Sequence, residues 1–300
     1  MEKKFKSGFV ALIGRPNVGK STLMNQVVGK KVAITSDKNQ TTRNRIQGIY
    51  TDDDAQIIFI DTPGIHKPQH RLGSFMVDLA EGTLDEADLI LFMVSAIEEI
   101  GPGDRFIINK LKKANKPVFL LINKVDLINK EDIFLVIESY FAEHDFAEIL
   151  PLSSLKGVNV EKLITLLKQY LPEGPKYYEE DQITDHPEHF MYSEIIREKV
   201  LELTREEVPH SVAVKIDEIA VRKNGTRYIR ATIFTERTSQ KVILIGRNGK
   251  MLKEVGRRAR LDLKKLIGAN VFLDLWVKVE KDWRNNELKL NQFGFRYDDY

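Results

Sequence analysis

"GRPNVGKST", residues 14–22, follows the apolar run Phe9-Val10-Ala11-Leu12-Ile13 and opens onto a stretch of helical period. Gly14, Gly19, Lys20 and Ser21 stand at the offsets of G-x-x-x-x-G-K-[ST]. Glycines let a backbone curl until successive N–H groups point inward at phosphate oxygens. The helix that follows adds its positive end. A lysine here reaches the β- and γ-phosphates, and the serine hydroxyl can ligate Mg²⁺. The competing reading is a glycine-rich turn between strand and helix that holds no ligand. The rest of the chain decides between them.

Outward from this loop, apolar runs recur at 10–13, 57–60, 89–94, 118–122 and 149–152. Between several of them lie helix-period stretches at 22–28, 106–113 and 160–170. Alternation of this kind predicts a mostly parallel sheet with helices on both faces, an α/β domain. Ligands bind such sheets at the carboxyl ends of the strands, so the residues after each run carry the information. After the second run comes "IIFIDTPG", residues 57–64. Asp61 can hold Mg²⁺, and the Gly64 N–H can meet a γ-phosphate with no side chain in the way. After the fourth comes "LLINKVD", residues 120–126. Guanine presents two adjacent donors, which the carboxylate of Asp126 can accept together. Asn123 can tie the base to neighbouring loops, and the stem of Lys124 can cover the ring. After the last, "LPLSSLKG" offers Ser153 and Ser154 for backbone contacts to the base.

Length and composition bound the rest. The 300 residues allow two domains. With 46 Lys and Arg against 44 Asp and Glu, global charge names no partner, so local charge must. The absence of cysteine excludes disulfides, thiol catalysis and cysteine-bound metals. No apolar run reaches the ~20 residues of a membrane span, and no secretory signal opens the chain. The expectation is a soluble intracellular protein.

The ordered set GRPNVGKS, QTTR, DTPG, NKVD and SSL resembles the P-loop GTPases over roughly residues 5–171. The resemblance implies GTP/GDP bound with Mg²⁺ by Gly14, Arg15, Pro16, Asn17, Val18, Gly19, Lys20, Ser21 and Thr22, with Thr42, Asp61, Gly64, Asn123, Lys124, Asp126, Ser153 and Ser154. It implies that Ser21, Thr42 and Asp61 hold the metal, and that Lys20, Thr42, Asp61 and Gly64 serve hydrolysis. The switch threonine is Thr42 or Thr41, with Thr42 preferred. One departure stands out. Where many such enzymes carry a water-orienting glutamine this chain has Ile65, followed by His66 and, further on, His70, both expected as solvated switch-loop side chains. Asn17 suggests K⁺ beside the phosphates, as in some GTPases with this loop, and Arg43 and Arg45 remain open as charge-stabilising arginines.

Beyond Leu171 the texture changes to "LPEGPKYYEEDQITDHPEH", which reads as a linker. A helix at 193–207, a strand at 212–221, the hairpin signal "KNGT" and a strand at 228–235 follow. Helices at 239–245 and 250–266 then flank "GRNG", and a strand at 271–280 closes the order α-β-β-α-α-β. Lys241, Arg247, Lys250, Lys253, Arg257, Arg258, Arg260, Lys264 and Lys265 outnumber Glu254 and Asp262 around this loop. The pattern resembles a type II KH domain, an α+β fold that clamps single-stranded RNA. That resemblance makes Gly246, Arg247, Asn248, Gly249, Lys250, Lys253 and Arg257 the RNA-binding candidates. A solvated basic helix–turn–helix is the bland alternative. The boundaries expected are 1–172, a linker 173–185, 186–285, and a lightly packed tail 286–300 with no function.

The whole chain is similar to the bacterial ribosome-assembly GTPases that join a G domain to a C-terminal KH domain. This resemblance implies binding near the 3′ end of 16S rRNA, assistance to 30S subunit biogenesis and rRNA processing, no DNA partner, and a cytoplasmic place with peripheral association at the inner membrane. Two rivals stand beside it. Transfer-RNA-modification GTPases share the G-domain motifs but use a C-terminal cysteine, which is missing here. Alternatively, the C-terminal unit is a protein-binding module switched by nucleotide.

Overall fold

Each of the five apolar runs becomes a strand in the protein, whose computed structural model describes residues 4–38, 40–65, 68 and 70–296. The first unit runs β1 (Lys6–Ile13), α1 (Lys20–Val28), β2 (Ile46–Thr51), β3 (Ala55–Asp61), α2 (Arg71–Glu86), β4 (Leu89–Ser95), α3 (Pro102–Leu111), β5 (Val118–Asn123), α4 (Lys130–Phe141), β6 (Glu148–Pro151) and α5 (Val160–Tyr170). The sheet order is β2-β3-β1-β4-β5-β6, and only β2 runs antiparallel to its neighbour. Strands β3, β4 and β5 are buried at every position, as apolar runs covered on both faces must be. One core lies under α1 and α5, the other under α3 and α4. The phosphate loop, Asp61, Asn123 and Ser153 therefore come together at one end of the sheet.

Strand β2 escapes the sequence reading because it lies at the edge and alternates only weakly. Its free side is covered by the linker. Ile49 N–H donates to Ile183 O at 2.9 Å, Thr184 Oγ1 donates to Gln47 O at 2.7 Å, and the Gln56 carboxamide binds the backbone of Tyr177 and Tyr178. The segment rich in Pro, Gly and acid is thus a strap along the sheet edge, which blunts that edge against other chains.

The second unit runs α6 (Glu188–Leu203), α7 (Val208–Ser211), β7 (Ala213–Val221), β8 (Arg227–Thr235), α8 (Thr238–Ile245), α9 (Lys250–Ile267), β9 (Val271–Val279) and α10 (Glu287–Gln292). Strand β8 pairs antiparallel with β7 and parallel with β9, and α6, α8 and α9 cover one face. The helix expected at 193–207 begins earlier and ends earlier. Pro187 at its N-terminus needs no N–H and fixes a compatible φ of −69°. Thr204 folds its hydroxyl back onto Val200 O, and Glu206 at φ 54° breaks the path.

The tail departs most from expectation. Leu290, Phe293 and Phe295 close over Trp283 and Phe234 of the second unit and over Leu72, Phe75, Met76 and Leu79 of α2. Phe295 is only 7% exposed and meets Phe75 edge-on at 6.0 Å. Leaving such rings in water would forgo roughly 1.5–3 kcal/mol each, which outweighs fraying of a short terminus. Trp283, fully buried, also donates Nε1–H to Ser211 O at 2.9 Å. The two units therefore share one apolar core. Trp283→Ala is expected to cost about 3–5 kcal/mol, read as a lowered denaturant midpoint. A midpoint unchanged from the parent would show that this core contributes nothing.

Candidate functional site

The loop between β1 and α1 is shaped by positions that tolerate no side chain. A Cβ at Gly14 would lie 2.2 Å from Met93 O, and one at Gly19 would lie 2.1 Å from Asn123 Nδ2. Gly19 also sits at φ 110°, a conformation that side chains rarely adopt. Gly64 packs against the loop, where a Cβ would meet Pro16 N at 2.7 Å. Lys20 is 6% exposed and turns its Nζ onto the carbonyls of Gly14 and Arg15, both at 3.0 Å. Arg15 contributes backbone only. Its guanidinium pairs with Asp104 at 3.0 Å and Glu98 at 2.6 Å, away from the loop.

Three side chains converge beside Lys20. Ser21 Oγ donates to Asp61 Oδ2 at 2.5 Å, and Thr42 Oγ1 lies 3.0 Å from Ser21 Oγ and 3.4 Å from Asp61 Oδ2. Thr41, the other candidate, donates its hydroxyl to Lys38 O at 2.6 Å instead. Asp61 is fully buried, and its Oδ1 has no hydrogen-bond partner. Burial raises its pKa, opposed by the charge of Lys20. A buried carboxylate with an orphaned oxygen, flanked by two hydroxyls, is the donor set a hard divalent cation such as Mg²⁺ accepts.

The far end of the same cleft is a nest of amides. Asn123 donates Nδ2–H to Val18 O at 2.7 Å, while its Oδ1 accepts from Ser154 N at 2.8 Å and Ser154 Oγ at 3.0 Å. Ser153 and Ser154 are buried, and Asp126 is exposed at the mouth. The cleft, of about 380 Å³, is lined by Pro16, Asn17, Gly19 to Thr22, Thr42, Gly64, Asn123, Lys124, Asp126, Ser153 and Ser154. It is also lined by residues to which motif reading gave no role, including Thr35, Lys38, Leu127 and Leu155. Leu127 and Leu155 are 62% and 73% exposed. Each directly follows a motif residue, and that adjacency was the available signal.

The switch positions give a different result from the sequence reading. Ile65 is buried in the core under α3 and α4. His66 lies outside the described residues, and His70 turns its Nε2 to Arg284 of the second unit at 3.0 Å. Neither switch arginine lines the cleft. The Arg43 guanidinium is buried and donates to the carbonyls of Val212 at 2.6 Å and of Pro209 and His210 at 3.1 Å. Arg45 pairs with Glu86. For Arg43 the reason is the docked second unit, which supplies acceptors that a lone G domain lacks; Arg45 finds its partner on α2 of the G domain. From α6, Arg197 reaches Thr41 O, and Glu198 accepts from Thr35 N at 3.1 Å and from Lys31 Nζ at 2.5 Å.

A second candidate site lies between α8 and α9. Gly246 at φ 71° ends α8, and Asn248 and Gly249 follow at φ 54° and 73°. Arg247, Asn248 and Lys250 are exposed. The groove beyond them, about 680 Å³, is floored by Leu252, Gly256, Leu273 and Leu275 and edged by Lys250, Lys253, Arg257, Arg260 and Phe272. Of the expected cations, Arg257 is tied to Glu254 at 2.7 Å. Arg257 and Arg258 together hold that carboxyl down at about 2.

Residues 9–124 match the family model of the 50S ribosome-binding GTPases, and residues 207–284 match that of the KH domain. A variant of Aquifex aeolicus Era solved bound to GDP·AlF4⁻ is 45% identical, covering 97% of this chain and 99% of its own, with a TM-score of 0.94. The chain belongs to the Era family. An Era structure in complex with MgGDPNP and nucleotides 1506–1542 of 16S ribosomal RNA is similar to the same degree, at 45% identity and a TM-score of 0.94. In this Era-family chain, no helix among the described residues is long and apolar enough to cross a membrane.

The buried lysine of the β1–α1 loop also has a measurable electrostatic signature. Burial pushes the Lys20 ammonium down from 10.5 to about 8, against the pull of Asp61. Between those two values the unfolded chain holds a proton that the folded chain has released. Stability of the ligand-free Era fold therefore rises with pH across that window, by about 3 kcal/mol in all. Below it both states are charged and the burial penalty persists. A bound polyphosphate restores the ammonium, so nucleotide binding at pH 9 is expected to take up close to one proton. Calorimetry at pH 9 in buffers of different ionisation heat measures this, and zero uptake would remove Lys20 from the phosphate site.

Proposed function

We propose that this chain binds GTP with Mg²⁺ in the cleft, hydrolyses it to GDP and phosphate, and clamps single-stranded RNA from the 3′ region of 16S rRNA in the α8–α9 groove while the 30S subunit is assembled and its rRNA processed. The observation that carries the nucleotide half is the meeting of Ser21 and Thr42 on Asp61, whose second oxygen is orphaned, beside the desolvated Lys20. Ser21, Thr42 and Asp61 hold the metal in this reading, and Thr41 does not. When bound, Mg²⁺ neutralises charge on the β- and γ-phosphoryl oxygens. Lys20 and the loop amides stabilise the charge that builds as water attacks the γ-phosphorus and GDP leaves. The Gly64 N–H meets the γ-phosphate, and Asp126 selects guanine with Asn123, Lys124, Ser153 and Ser154 shaping the base pocket. The reading includes work in the cytoplasm, with peripheral association at the inner face of the membrane, and that part draws its support from the family resemblance.

The RNA half rests on the α8–α9 loop and groove. Arg247→Asp with Asn248→Asp places carboxylates where phosphates lie, and both positions are exposed, so the fold should tolerate them. Affinity for single-stranded RNA is expected to fall tenfold or more at moderate salt, with GTP binding unchanged. RNA binding equal to that of the parent would sink the groove assignment and favour the protein-module rival.

Ile65 is buried and cannot orient water, and neither Arg43 nor Arg45 lines the cleft to add to the charge stabilisation at the γ-phosphate. We propose K⁺ held at Asn17. This residue bridges the phosphate loop to the first switch by donating Nδ2–H to Asp37 O at 3.0 Å, which sets that carbonyl against the loop. Single-turnover hydrolysis is expected to run faster in K⁺ than in Na⁺ at matched ionic strength, and Asn17→Ala at saturating GTP should erase most of the difference. Equal rates for the parent in the two salts would discard the cation.

A further inference from the structure

The outer face of the three-stranded sheet is left open by the helices. In the β8–β9 register Tyr228 faces Phe272, Arg230 faces Asp274 and Thr232 faces Trp276. Alternation puts these side chains on the side away from α6, α8 and α9. The far end of this face is closed by the tail, with Phe293 on Phe234 at 4.5 Å. Among the described residues nothing closes the near end. Phe272 is 49% exposed and Trp276 58%. Tyr228 and Phe272 stack at 5.9 Å and 22°, and the Arg222 guanidinium lies over both rings, at 5.0 and 4.4 Å.

Two features favour nucleic acid as the occupant. First, Phe272 also edges the α8–α9 groove, so the platform continues that groove around the edge strand β9. Second, the Arg222 guanidinium backs the stacked rings, with further charged side chains of both signs around them. Arg230 pairs with Glu218 at 3.1 Å, Tyr228 donates to Asp274 at 3.2 Å, and the exposed Lys278 lies two residues beyond Trp276. Aromatic rings backed by a guanidinium stack bases of any sequence. A KH loop clamps about four nucleotides, so a longer strand that leaves the groove on the β9 side passes Phe272.

We propose that this face, from Phe272 and Tyr228 to Trp276, is a second RNA-binding surface that stacks the bases of the strand leaving the groove. Phe272 and Trp276 are four residues apart, about 13 Å along the strand, so they take different bases. The proposal rests on the RNA reading of the groove and extends it from a clamp to a track.

The chain has two tryptophans, and Trp283 is fully buried, so fluorescence quenching reports Trp276 directly. The test compares a single-stranded RNA of about six nucleotides, long enough for the groove alone, with one of about fourteen. The longer RNA should bind roughly tenfold tighter and quench Trp276, while the shorter binds without quenching. Trp276→Ala with Arg222→Ala should remove the tenfold gain and leave short-RNA affinity and GTP hydrolysis unchanged. Equal affinity of the two RNAs, a gain that survives in the double variant, or an unquenched Trp276 would each overturn the proposal. If neither RNA binds, the groove reading falls and takes this one with it.

Discussion

The guanidinium of Arg43 sits where the two halves of the molecule meet, and much of the rest follows from it. A buried cation must find acceptors or unfold its surroundings. All three of its carbonyl partners, on Pro209, His210 and Val212, belong to the second unit, while Arg43 belongs to the first switch. The docked KH domain therefore helps to hold the switch on its present path. Arg197 on Thr41 O and Glu198 on Thr35 N hold the same segment from a second direction. Thr42, which sits among these contacts, is thereby brought onto Asp61.

From Glu198 a chain of ion pairs continues to the other site. Lys199 joins Glu198 to Asp262 of α9 at 2.9 and 2.8 Å and to Glu202 at 2.7 Å. Arg258 links Glu202 to Glu254, and Glu254 holds Arg257 at the groove. Singly, the exposed members contribute little. Glu198 differs, because it is 2% exposed and must be fully satisfied. Geometry of this kind makes a physical connection between the cleft and the groove, and its energetic weight is a matter for coupled mutations.

What could be read from the sequence divides along physical lines. The buried parallel strands and the backbone cradles were legible, because an apolar run or a glycine at a fixed offset states its own requirement. Thr42 was narrowed to a pair, since two adjacent hydroxyls look alike until the chain path turns one toward Asp61 and the other toward Lys38. The roles of Arg43, His70 and Phe295 were not legible. Each finds its partner more than a hundred residues away, and no local pattern encodes such a contact. Strand β2 was missed for the related reason that its cover is the linker strap, another distant segment.

The shared aromatic core also bears on how the protein is made. The apolar face of α2 leaves the ribosome early, while Phe293 and Phe295, which cover it, follow some 220 residues later. At roughly 5–20 residues per second, the gap from residue 75 to residue 295 lasts on the order of tens of seconds. Through that interval Leu72, Phe75, Met76 and Leu79 have no lid, and the G domain carries a sticky face. A chain cut short before Phe293 would keep every motif of both sites and still leave that face uncovered.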